Sequence, residues 1–251
     1  MTTAAYACSA PDLAGAASLV RFGCQPRLRP MQHPEYRTLL HRYRRDGMFA
    51  ALADGLADGL EMDVIDAHDV EGYVLHPREG SWLSYRLKDG SPRMTPADRL
   101  VLGLAHVAIA ARAYPTAADL EEETVKRVSV EEVDHFLRHM TQRLKEAAVD
   151  AEGLAVPHTE LDAAWRLYSR LPAGKPTRSK RQLSEASTQR VIKEALDWLV
   201  EQGMAVSAAV DLGPGHYRLY HRFRLQVREC ASASAFGLLC DIRRSQLVEE
   251  N

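Results

Sequence analysis

Four arginines, Arg218, Arg222, Arg224 and Arg228, recur at even spacing inside the segment YRLYHRFRLQVR, residues 217–228. Read as a strand, the segment alternates its side chains between two faces. Tyr217, Leu219, Phe223, Leu225 and Val227, with His221 among them, form one face. Arg218, Tyr220, Arg222, Arg224, Gln226 and Arg228 form the other. Guanidinium groups along an extended line suit the phosphates of an anionic polymer, which need charge and donors in a row and no exact constellation. A second basic run, PAGKPTRSKRQ (172–182), adds Lys175, Arg178, Lys180 and Arg181, and its prolines and glycine mark it as an exposed linker. Arg190 and Lys193 lie on the outward face of a helix expected over 184–202, beside Gln189 and mixed with acids. These ten cations are the expected DNA-binding set. Contacts of this kind hold the duplex backbone and read few bases. The competing expectation is that the same arginines pair with acids of this chain or of a partner.

Other chemistry finds little support. His135 and His139, four apart on a helix, can in principle share a metal, but no H-E-x-x-H motif or supporting cysteine accompanies them. Surface histidines beside Glu131 and Glu132 are the better reading. Asp63, Asp66, Asp69 and Glu71 crowd one short stretch and read as solvated turn acids, because no E-x-K element follows. Gly174-Lys175-Pro176-Thr177 lacks the first glycine and the final spacing of a phosphate-binding loop. No G-x-S-x-G nucleophile motif is present. The expectation is a protein with no enzymatic activity, no cofactor and no metal.

The 251 residues carry a formal net charge of −2, which hides a segregation. Thr116 to Trp165 holds 12 acidic and 5 basic residues, whereas Arg166 to Arg228 holds 12 basic and 5 acidic. An acidic half and a basic half favour a polyanion partner for the second. Cys8, Cys24, Cys230 and Cys240 are widely spaced and read as reduced thiols. The longest apolar stretch, Leu100 to Ala111, is interrupted by His106 and too short to span a bilayer. No basic residue precedes Arg21, so a signal peptide is not expected. A cytoplasmic, nucleoid-associated protein without a membrane partner is the expectation.

The surrounding pattern is mostly helical. Residues 1–33 read as a loose arm with at most a short helix near 11–22. A helix opens at Pro34 with Tyr36, Leu39, Leu40 and Tyr43 on one face, breaks near Gly47, and resumes with Phe49, Leu52, Leu56 and Leu60. Met62–Asp66 and Gly72–His76 suit a hairpin, with Trp82–Leu87 as a further extended piece. Thr95-Pro96-Ala97-Asp98 starts a buried helix that ends before Pro115, Thr116 caps a helix of about 117–127, and Ser129-Val-Glu-Glu132 matches a capping box. The helix from Ser129 carries Val130, Val133, Leu137, Met140 and Leu144 as a seam, for this chain's own core or for a partner helix. A further helix spans about 159–171, a strand 203–212, and a last helix 233–248.

Helix 184–202, strand 203–212, the Gly213-Pro214-Gly215 turn and the basic strand make the second half of a winged helix. The expected fold is mainly α with small β wings, an α+β tandem winged helix. Its parts are an arm (1–33), an N-terminal winged-helix-like domain (34–150), a C-terminal winged-helix domain (151–232) and a C-terminal helix (233–251).

Most of residues 34–228 resembles the kite family, the tandem winged-helix accessory subunits of SMC complexes of the MukBEF and Wadjet type. The resemblance lies in GLEMDVIDAHDVEGYVLHP, TPADRLVLGLAHVAIAARAYP, SVEEVDHFLRHMTQRLKE and IKEALDWLVEQGMAVSAAVDLGPGHYRLYHRFRLQV, and in their order. It implies a non-catalytic homodimer that binds a kleisin subunit and helps clamp duplex DNA onto an SMC ATPase. Such complexes organise chromosomes or, with a Toprim-type nuclease, defend against plasmids. A dimeric winged-helix transcription regulator is the second expectation.

Overall fold

The computed structural model describes residues 9–84, 94–150, 159–172, 187–230, 236–237, 239–241 and 243–244. These are mainly helical, with two small antiparallel sheets, an α+β protein. The chain divides into two units, Met1–Tyr85 and Arg86–Asn251.

The first unit holds three helices and a hairpin. Helix α1 (Ala10–Gly23) starts at Ser9, whose side chain accepts from the Asp12 amide. It buries Ala16, Leu19, Val20 and Phe22, and the Phe22 ring stacks on Tyr36 with centroids 4.6 Å apart. Helix α2 (Pro34–Arg45) ends at Asp46, which at once caps α3 (Gly47–Gly59) by accepting from the amides of Met48 and Phe49, both at 3.1 Å. One residue therefore stops one helix and starts the next. In α3 the buried residues Phe49, Ala53 and Ala57 recur every four positions. Strands β1 (Met62–His68) and β2 (Gly72–Pro77) then pair antiparallel, with a register shift between Val64 and Asp66. Gly72 turns the chain at φ +85°, and the Tyr36 hydroxyl accepts from the buried Tyr73 amide at 2.7 Å.

The second unit opens with α4 (Pro96–Ala113), held by a full Thr95/Asp98 capping box, and it buries nine side chains. Helix α5 (Ala117–Glu121) has the same box from Thr116 and Asp119. It stops six residues before its expected end, because the chain from Lys126 enters a sheet. Strand β3 (Lys126–Ser129) leads into α6 (Val130–Asp150), where Ser129 and Glu132 exchange capping bonds at 3.1 and 2.8 Å. Helices α7 (Thr159–Arg170) and α8 (Thr188–Glu201) follow, the latter capped by Ser187. Strand β4 (Ala205–Ser207), the short α9 (Ala209–Leu212), β5 (His216–Leu219) and α10 (His221–Cys230) complete it. The sheet order is β3-β5-β4, so the last strand lies between the other two. A polar chain ties three helices together: Tyr168 donates to Asp134 at 2.5 Å, and Arg138 joins Asp134 to Thr188.

Several expectations are corrected. Residues 10–23 are no arm: α1 shares one core with α2, α3 and the hairpin. The chain divides near 85, and no boundary falls at 150, since Val133, Leu137 and Met140 of α6 share a core with Ile192 and Leu196 of α8. The α6 seam thus serves its own unit. The described residues of the C-terminal stretch, 236–237, 239–241 and 243–244, are helical, and Phe236, Leu239 and Cys240 belong to that core too. Ser81–Ser84 forms a turn where an extended piece was expected, and residues 85–87 lie outside the described residues. The strand expected over 203–212 is only three residues long, and 209–212 coil into a helical turn.

The largest correction concerns 217–228. Strand β5 ends at Leu219, and residues 221–230 are helical. Its neighbours explain this: β3 pairs with β5 from Lys126↔Leu219 to Ser129↔His216, and β4 reaches Ala205↔Leu219. The Tyr220 amide still donates to the Met204 carbonyl at 2.8 Å, but beyond it no strand among the described residues continues the ladder, so the backbone satisfies its own donors. The Phe223 and Arg224 amides turn back to the Tyr220 carbonyl, and the helix follows.

Candidate nucleic-acid interface

The helical turn at Tyr220 redistributes the arginines that a strand would align. Arg218 remains on β5, and its Nη2 donates to Asp211 at 2.6 Å. Arg222 and Arg224 enter α10 and are only 2% and 4% exposed. The Arg224 guanidinium donates to the Leu120 carbonyl at 2.6 Å and to His221 Nδ1, and lies 3.7 Å from Glu123. Such burial is tolerable for a cation only where donors find acceptors. Arg228 lies 3.7 Å from Glu229. The four arginines do not form one exposed face.

Helix α8 presents Arg190 and Lys193, and each has an acid one turn on. Arg190 Nε meets Glu194 at 2.7 Å, and Lys193 is paired with Asp197. Exposed pairs of this spacing are weak, about 0.3–0.5 kcal/mol, but they lower the local positive potential. Lys175, Arg178, Lys180 and Arg181 lie outside the described residues. Pairing with the chain's own acids is therefore what the structure brings to Arg190, Lys193, Arg218 and Arg224.

No protein family, curated protein or solved structure matches this chain. Its own geometry has to carry the functional reading.

The first unit holds cations that composition does not advertise. Residues 1–85 contain eight arginines and eleven acids, yet α2 alone carries Arg37, Arg42, Arg44 and Arg45 against the single acid Glu35. Arg42 is held by Asp12 at 2.6 Å and Asp46 at 3.1 Å. Arg44 meets Asp69 at 2.5 Å and also donates to the Ala67 carbonyl. Arg37 and Arg45 are exposed and make no ion pair with the described residues. In the sequence these arginines lie off the face formed by Tyr36, Leu39, Leu40 and Tyr43. Their signal was the spacing of 37, 41 and 45, which puts Arg37, His41 and Arg45 on successive turns.

The acids singled out in the sequence have structural duties. Asp63 binds Arg78 at 2.9 Å, Asp69 binds Arg44, Glu71 binds Arg29 at 2.5 Å, and Asp66 accepts from the next amide, Ala67. Asp54 on α3 accepts from two phenols, Tyr43 at 2.8 Å and Tyr73 at 2.9 Å. Burial and then that carboxylate push the Tyr43 phenol up to about 12.

His135 lies in a polar cleft of about 480 Å³ with Arg112, Ser129, Glu131, Glu132, Phe136, His216 and Arg243. The Glu132 carboxylate there is engaged by Arg112 at 3.3 Å and by the Ser129 amide. His216 Nδ1 lies 3.1 Å from the Gly213 carbonyl. Glu132 is thus committed to the start of α6 and His216 to the turn before β5.

Proposed function

We propose that this protein is a non-catalytic, tandem winged-helix subunit of the kite type. It would bind duplex DNA without strong sequence preference, as a homodimer within an SMC–kleisin complex, in plasmid defence or chromosome organisation. One observation carries the reading: a helical group followed by an antiparallel hairpin occurs in each unit. In the first, α1, α2 and α3 precede β1 and β2. In the second, α4, β3, α6 and α8 precede β4 and β5, and the last strand inserts between the other two. That order, and in the second unit that strand placement, support the winged-helix reading, with α5 and α7 as additions.

Chemistry at the surfaces favours backbone contact over base reading. Helix α3, at the position of a recognition helix, is GMFAALADGLADG and carries two aspartates and no cation. Helix α8 carries its cations in pairs with acids. Specific readout needs several exposed donors aimed at base edges, and neither helix supplies them.

Tagged full-length chain should co-purify from its native host with a large coiled-coil ATPase and a kleisin, identified by mass spectrometry. A Toprim-type nuclease in the same complex assigns plasmid defence. Recovery with RNA polymerase components alone, together with one high-affinity operator, moves the assignment to a transcription regulator and overturns this one.

A further inference from the structure

We propose that the phosphate backbone lies across helix α2 of the first unit, on Arg37, His41, Arg44 and Arg45, and not along the segment that follows β5. The inference rests on the DNA-binding reading and names the surface that performs it.

Helix geometry groups the four side chains. At about 100° per residue they fall within an arc of roughly 100°, centred about 110° around the axis from the buried Tyr36 and Leu40, with Arg44 nearest to them. Arg37 and Arg45 stand about 12 Å apart along the axis. Duplex DNA presents one charge per roughly 1.7 Å of its length, so a stripe of that length meets several phosphates. All four side chains are exposed.

Folding accounts for only part of this stripe. Arg44 is held by Asp69 and the Ala67 carbonyl, so its charge is partly met within the fold, and Arg37 and Arg45 carry most of the stripe's charge. Arg45 sits in the last turn, where a cation meets the negative end of the helix dipole. Arg37 has neither justification. It lies in the first turns of α2, where the dipole disfavours a cation, and no acid among the described residues meets it. A cation held against the dipole, in line with two more, is explained by an anion outside the chain.

The alternatives are weaker on the same grounds. Arg222 and Arg224 are buried, and Arg218 is paired with Asp211. Helix α3 would bring Asp54 and Asp58 toward phosphate and is repelled. DNA approaching the first unit therefore meets α2.

The test is binding of the full chain to short duplexes of unrelated sequence, followed by fluorescence anisotropy across a salt series. The chain is used alone and with its co-purified partners. Arg37→Glu with Arg45→Glu should lower affinity at least tenfold at low salt and reduce the salt slope by about two, one for each lost phosphate contact. Arg218→Glu with Arg228→Glu should stay within about twofold of wild type. Circular dichroism monitors folding, and Arg37→Gln with Arg45→Gln replaces the first variant if it misfolds. A folded α2 variant with wild-type affinity and slope overturns the inference and leaves the DNA reading standing. An α2 variant that keeps DNA but loses a co-purified protein also overturns it, making α2 a protein interface. A wild-type chain with no salt-sensitive affinity in either form overturns the DNA reading itself.

Discussion

Arg224 Nη1 donates to the carbonyl oxygen of Leu120 at 2.6 Å, across 104 residues of chain. Leu120 lies in the last turn of α5, where carbonyls lack helical partners and the dipole is negative, so a guanidinium is well placed to satisfy them. This contact fastens α10 to α5 and leaves Arg224 no part in an exposed basic face.

Removing that guanidinium should therefore act on stability. Arg224→Met keeps the apolar stem and deletes the donors, leaving the Leu120 carbonyl without this bond. The expected loss is about 1.5–3 kcal/mol, the range for hydrogen bonds to charged groups. Urea denaturation measures it. Charge reversal of Arg222 and Arg224 together should abolish cooperative folding, since two carboxylates would be buried at 2% and 4% exposed positions. A folded double variant with weakened DNA binding would restore both arginines to the interface.

Gly72 and Tyr36 are similarly interlocked in the first unit. A methyl group at Gly72 would stand 2.0 Å from the Tyr36 hydroxyl oxygen, and the backbone there has φ +85°. Gly72→Ala should cost about 1–2 kcal/mol in backbone strain alone. Displacing Tyr36 adds about 1–3 kcal/mol for the buried Tyr73 amide that loses its acceptor. Tyr36→Phe should cost only the second amount, and the double variant less than the sum of the singles. Thermal unfolding of the three variants checks this; a near-wild-type Gly72→Ala would show that the turn relaxes freely.

His106 supplies a pH dependence. Its Nδ1 bonds the Leu102 carbonyl at 2.9 Å and so carries the proton, while Nε2 is buried with no hydrogen-bond partner among the described residues. The ring packs edge-on to Trp198, with centroids 5.1 Å apart. Burial pushes its pKa below the ordinary 6.5, against a smaller upward pull from the Leu102 carbonyl. The unfolded chain then binds a proton at a higher pH than the folded one. Stability is unaffected by this group well above 6.5, falls as pH drops below 6.5, and levels off below the folded value. His106→Leu should flatten that decline between about pH 7 and 5. Urea midpoints of both proteins across that range decide it, and parallel curves would rule the group out.

Local chemistry alone determined the helix starts. Thr95 and Thr116 cap their helices as expected, each completing a box with Asp98 or Asp119, and the Ser129/Glu132 box forms as its spacing predicts, because a capping box involves residues only three apart. The hairpin at 62–77 and the buried α4 were legible for the same reason: period and turn residues lie within each element. The segment after Leu219 was not. Phe223, Leu225 and Val227 suit a strand by alternation, while Phe223 and Val227 also suit one face of a helix. Only the length of the partner strands decides, and those lie near 126 and 205. The sequence likewise counted every arginine but could not say which would be buried, paired or presented. Exposure depends on neighbours distant in the chain, as Leu120 is to Arg224, and the tertiary structure alone brings them together.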